Sequence, residues 1–154
     1  MYNECAKYVC ADKFVFRLDP NDKCKVHFYA TNPQHMGEIS DASIRYIAHN
    51  RVCGDDIEIF LVLEGNIIKK WSFTGKASMI TIACSGLFGD VVQGVDFETL
   101  FSWNQGSIVR DTGITVSPRR KRAQVLALLA TRNALHEYLK DGKRDDFSDV
   151  LDDV

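Results

Sequence analysis

Between residues 57 and 63 the apolar side chains recur at every second position. Ile57, Ile59, Leu61 and Leu63 alternate with Glu58, Phe60 and Val62. A period of two is that of a strand with one buried face. Glu64-Gly65-Asn66 supplies a tight reversal, and residues 67–73 return antiparallel. Upstream, Ser43-Ile44-Arg45-Tyr46-Ile47-Ala48 has the β-branched and aromatic content of a further strand. Beyond Gly75 the period changes, and Ile80, Ala83, Cys84 and Leu87 form one helical stripe, weakened by Gly86 and Gly89 and closed near Gly94. Asp96 caps a short helix carrying Phe97, Leu100 and Phe101, and Asn104-Gln105-Gly106 reads as its stop. Residues 112–116 are a connector. Ser117-Pro118 then opens the longest helix, residues 118–140, with Leu126, Leu129, Ala130, Asn133 and Leu135 on its core side.

Before the sheet, Asp19-Pro20 starts a short helix over residues 23–30, which ends ahead of Asn32-Pro33 because the residue before proline is pushed out of the α region. Tyr2, Cys5, Tyr8 and Val9 recur at helical spacing, whereas residues 14–18 alternate like a strand. The pattern predicts an α+β fold in which a three-stranded antiparallel sheet, residues 43–73, packs on one face against a layer of helices. Residues 1–24 are an N-terminal extension, 25–140 a single domain, and 141–154 a flexible acidic tail with too little apolar surface to fold alone.

Composition narrows the classes. At 154 residues, with 45% hydrophobic and 26% charged, the chain can bury a core without staples. A formal charge of -2 means that binding nucleic acid would need a local basic patch, so no nucleic-acid role is expected. No apolar run has the length of a membrane span, and five cysteines without regular spacing point to a reducing cytoplasm.

The candidate chemistry lies at Cys53-Gly54-Asp55, where a soft and a hard metal ligand flank a chain-reversing glycine. Hairpin closure brings Ser78 to the same end of the sheet. Cys5 and Cys10 would sit on different faces of a helix, and the four histidines, His27, His35, His49 and His136, are scattered over different elements. The basic run Arg119-Arg120-Lys121-Arg122 opens the last helix, where the macrodipole already carries positive charge. The acidic tail, residues 143–154, is an available counter-charge that could fold back over this run, and an acidic partner could displace it. No Ser/His/Asp or Cys/His spacing and no phosphate-binding glycine loop is present, so a conventional enzyme is not expected.

Five segments in order resemble the U-type iron-sulfur cluster assembly scaffolds, the family of IscU, SufU and the N-terminal domain of NifU. They are Asn32-Pro33-Gln34-His35-Met36-Gly37, Val52-Cys53-Gly54-Asp55, residues 73–85, Val92-Gln93-Gly94 with Asp96-Phe97, and residues 118–130. The resemblance implies the same α+β fold, with metal held by three cysteines and the aspartate of Cys-Gly-Asp. In this chain Cys53 and Asp55 stand in register, while the second cysteine position holds Ser78 and the third, the family's sulfur acceptor, holds Ala123. Cys84, Cys5 or Cys10 could supply a further ligand.

The implied cargo is an iron-sulfur cluster or zinc, or nothing held by the monomer. The implied partners are a cysteine desulfurase, other iron-sulfur assembly proteins or a second copy of the chain. Two readings stay open: a scaffold with a reduced site at Cys53 and Asp55, and a ligand-poor homologue that acts as a binding module. Either way, Cys53, Asp55, Ser78 and Ala123 are expected to converge in one shallow, solvent-reachable pocket, with Gly54 and Gly75 turning the loops that bring them there.

Overall fold

A computed structural model describes residues 20–151. Three strands, β1 (Ile44–Asn50), β2 (Asp55–Glu64) and β3 (Ile67–Lys76), form an antiparallel sheet in that order. The predicted alternation holds, since Ile57, Ile59 and Leu61 are buried on the face that packs against helices. Phe60, on the opposite face, is buried as well, with the Arg45 guanidinium 4.9 Å from its ring centre. The 64–66 reversal lies between β2 and β3 as expected.

The helices are α1 (Pro20–Thr31), α2 (Met79–Val92), α3 (Phe97–Ser102), α4 (Gln105–Thr112), α5 (Lys121–Leu139) and α6 (Phe147–Val150), with a 3-10 turn at Pro118–Arg120 before α5. α5 lies across β1 and β2, α2 packs beside it next to β3, and α1 rests on α2. The main core runs from the sheet through Trp71, Phe88 and Trp103 into α5. Trp71 meets Phe88 edge-on at 5.2 Å, and its indole N–H donates to Thr131 Oγ1 at 2.9 Å, so the one polar atom of the ring is satisfied. A second core, Val26, Ile80, Ala83, Cys84, Leu87, Ile114 and Ala123, joins α1, α2 and the start of α5.

The glycines of α2 have a purpose that periodicity does not show. A Cβ at Gly86 would lie 3.2 Å from the Tyr29 ring, and one at Gly89 would lie 2.6 Å from the His35 ring and 3.0 Å from Trp71. Their absence of side chain lets α1 and the 32–37 loop rest directly on the helix. That loop is also tied to the sheet: Phe73 N–H donates to the His35 carbonyl at 3.0 Å, and Gly37 N–H to the Phe73 carbonyl at 2.8 Å.

Three expectations need correction. Asn104 starts a helix rather than stopping one: it caps α4 reciprocally with Ser107, and Ile108 secures that helix in the core. Residues 118–120 form the 3-10 turn ahead of α5. The acidic tail is packed along α5 as far as Leu151, with Val150 buried. Its Asp145 accepts from Arg132 Nε at 2.7 Å and lies 3.0 Å from His136 Nε2, while its backbone exchanges hydrogen bonds with the Asn133 amide. Asp145 is therefore held further along the helix, while Phe147 of the same tail brings its ring 5.0 Å from Arg122 of the basic run. Cys5, Cys10 and the patterns in residues 1–19 lie outside the described residues.

Candidate functional site

β1 gives way to β2 through a turn at residues 51–54, which is closed by Cys53 N–H donating to the Asn50 carbonyl at 3.2 Å. Gly54 sits at φ +71°, a left-handed conformation that a side chain would strain. At the matching end of β3, Gly75 has φ +141°, and a Cβ there would fall 2.0 Å from the Asp56 carbonyl oxygen. The hairpin can therefore close tightly where Cys53 and Ser78 meet.

Cys53 is half-buried in a pocket of about 530 Å³ lined by Val52, Gly54, Lys76, Ala77, Ser78, Arg119 and Arg120. Arg120 Nη1 reaches the Cys53 sulfur at 3.9 Å. Among the described residues, every ionic side chain lining the pocket is a cation. Ser78 is also the N-cap of α2, its hydroxyl accepting from Thr81 N–H at 3.4 Å.

Asp55 does not line this pocket. It is 1% exposed, and its carboxylate turns inward: Oδ1 accepts from Ser78 N–H at 2.7 Å and Oδ2 from the Thr81 hydroxyl at 2.7 Å. A buried carboxylate on the first turn of α2 satisfies an orphan backbone donor and complements the helix dipole. Its geometry is that of a strut between the Cys53 turn and α2.

Ala123, at 1% exposure, and Cys84 both lie in the second core, away from the pocket lining. Burial pushes the Cys84 thiol up to about 12, so its proton is firmly held at neutral pH. The four positions expected to converge are thus divided, with Cys53 and Ser78 at the pocket, Asp55 beneath it and Ala123 in the core. Among the described residues no group of three or more His, Cys, Asp or Glu side chains could hold a metal ion. The donors among the described residues do not by themselves fit a complete iron-sulfur or zinc site.

The histidines are distributed as the sequence suggested. His35 Nε2 lies 2.7 Å from Asp90, His49 pairs with Asp56, and His136 is held between Asp141 at 2.7 Å and Asp145 at 3.0 Å. Sequence reasoning missed the cationic lining of the pocket. The run 119–122 was visible, but its approach to Cys53 depends on how α5 packs.

A profile of the NifU-like N terminal domain family matches residues 21–145. The chain belongs to that family. It is 31% identical over 74 residues to the zinc-dependent sulfurtransferase SufU of Bacillus subtilis, a match covering 48% of this chain and 50% of that protein. It is 27% identical over 131 residues to the iron-sulfur cluster assembly scaffold protein IscU 1 of Archaeoglobus fulgidus, covering 84% of each. The chain spans about half the length of the SufU relative and of IscU from Thermotoga maritima, 50% and 52% respectively.

Among solved structures, the N-terminal NifU-like protein of Brucella abortus superposes with a TM-score of 0.61 at 14% identity, over 77% of this chain and 94% of that one. A putative SUF-system scaffold from Fervidobacterium islandicum gives 0.63 at 17% identity, over 72% and 93%. The fold is that of these proteins, a three-stranded antiparallel sheet with packed helices. No helix among the described residues is long and apolar enough to cross a membrane.

Proposed function

We propose that this protein serves iron-sulfur cluster assembly as a scaffold-like sulfur acceptor whose working group is Cys53. One observation carries the reading: of the cysteines in the described residues, Cys24 and Cys84 are buried and Cys53 opens into a cationic pocket. Transfer would come from a persulfide carried by a partner desulfurase. The Cys53 thiolate attacks the terminal sulfur of that persulfide, the donor's S–S bond breaks, and the donor cysteine leaves as a thiolate while Cys53 carries the persulfide. Arg120, 3.9 Å from the Cys53 sulfur, is placed to stabilise negative charge there throughout the exchange.

Metal enters this reading as cargo. Cys53 offers one thiolate, Asp55 is occupied by Ser78 and Thr81, and a cluster or zinc ion would need its other ligands from outside the described residues, from Cys5, Cys10 or another chain. A reducing compartment such as the cytoplasm would keep Cys53 available as a thiol.

The test is sulfur loading. After incubation with a cysteine desulfurase and cysteine, intact-mass analysis of the chain should show one added sulfur, mapped to Cys53 by digestion without reductant. Cys53→Ser should abolish loading and leave the far-ultraviolet circular dichroism unchanged. Loading on Cys5, Cys10 or Cys24, or none at all, would overturn the assignment.

A further inference from the structure

We infer that the rim of the Cys53 pocket is a docking surface for an acidic protein segment, one that presents the sulfur donor. This names the partner chemistry of the site proposed above and rests on that reading. Lys76, Arg119 and Arg120 line the pocket with no carboxylate among the described lining residues, although the whole chain is net negative at -2. Lys76 and Arg119 are exposed and form no ion pair among the described residues. One helix, α5, begins just after Arg120 without an acidic residue in its first turn, so its backbone dipole adds to the positive potential.

The aspartate that the sequence places beside Cys53 could have neutralised the rim. It is turned inward onto Ser78 and Thr81 instead. The tail carboxylate of Asp145, a second possible neutraliser, is held by Arg132 and His136. Both arrangements leave Lys76 and Arg119 available to an outside anion.

The form of the surface selects a peptide. Lys76 at the end of β3 and Arg119 ahead of α5 line a pocket of about 530 Å³, more room than a small anion fills, and Val52 stands beside the thiol at 72% exposure as an apolar contact. Among the described residues no aromatic side chain lines the pocket to stack a base, which disfavours single-stranded nucleic acid. Complementary charge of this kind speeds encounter and fixes orientation, here bringing a donor sulfur toward Cys53.

The experiment measures binding of a labelled oligo-glutamate peptide to the full chain by fluorescence anisotropy. Affinity should fall at least about tenfold between about 0.05 and 0.5 M salt as screening shortens the reach of the rim charges. Lys76→Glu with Arg119→Glu should weaken binding by about tenfold or more, while the control pair Lys143→Glu with Arg144→Glu, at the other end of α5, should leave it unchanged. All four residues are exposed, so the variants should keep the fold, and Lys76→Ala with Arg119→Ala serves if charge reversal does not. Cys53→Ser should bind the peptide like the natural chain. Its failure to load sulfur then reports on the acceptor reading, and the charge-reversed pair reports on the docking surface. The proposal is overturned if the peptide does not bind, if the control pair weakens it equally, or if an oligonucleotide or glutathione binds the rim as tightly as the peptide.

Discussion

The two ends of α5 hold cations in opposite circumstances. At the C-terminal end Arg132 and His136 are largely buried, and both meet Asp145, while His136 also meets Asp141 and stacks on Phe101 at 4.7 Å. A basic group in the last turn suits the helix dipole, so this end is built for stability. At the N-terminal end Arg119 and Arg120 face the Cys53 pocket, where the dipole opposes them and no carboxylate among the described residues lines the wall. A fold optimised throughout would have placed acids there. The contrast teaches that the N-terminal arrangement is kept at some cost in stability, the pattern expected where a surface answers to a partner.

The sharpest test of this contrast is stability. Asp145→Ala leaves Arg132 and His136 without their shared carboxylate and should cost about 3 kcal/mol, because the buried Arg132 guanidinium then goes uncompensated. Arg119→Ala should change stability by no more than about 0.5 kcal/mol. Urea denaturation of both variants checks the pair. Similar losses would mean that the two ends are equivalent and that the rim is structural.

The cysteines offer a second version of the same comparison. Cys53 should react with iodoacetamide in the native state about a hundredfold faster than Cys84, whose thiol is pushed up to about 12 by burial in the second core. Mass mapping after a timed quench measures both rates in one sample. Comparable rates would place Cys84 in reach of solvent and return it as a possible ligand.

Asp55 lies between these regimes, a carboxylate next to the Cys53 thiol yet committed to structure. Asp55→Ala should cost about 2 kcal/mol, since Ser78 N–H and the Thr81 hydroxyl lose their acceptor at a buried helix start. A stability change near zero, with sulfur loading lost, would make Asp55 a participant in the chemistry instead of a strut.

These particular residues show which parts of the molecule a sequence can disclose. Alternation at Ile57, Ile59 and Leu61 and the stripe at Ile80, Ala83, Cys84 and Leu87 were legible because burial acts on one face of a regular element. The meeting of Cys53 with Ser78 followed from antiparallel closure alone. Asn104 was misread because the residue types that end one helix also begin the next, and only the reciprocal bond with Ser107 decides between them. The inward turn of Asp55 was not legible, since it depends on where α2 starts in space. Nor was the docking of the tail, which rests on Asp145 and one buried valine rather than on a periodic apolar face.

The smallest effect concerns acid. Asp141 is held below the usual carboxylate range, first by its hydrogen bond with His136 and then by the Lys143 backbone N–H. Its folded value is depressed, so the stability it contributes is present above the unfolded aspartate value near pH 4 and is lost as pH falls through the lower folded value. Asp141→Asn removes that titration. The variant should be slightly less stable than the natural chain at pH 7, and the gap should close on acidification below about pH 3. Denaturation midpoints at the two pH values test this. At the opposite end of α5 the same acidification leaves the guanidinium groups of Arg119 and Arg120 charged, because arginine stays protonated throughout this range. Salt should act mainly on peptide binding at the rim, and acid on the Asp141 contact with His136. If acidification weakens peptide binding by the natural chain but not by Asp141→Asn, with the peptide's own charge controlled, then the two ends are coupled through α5 and the comparison must be redrawn as one linked system.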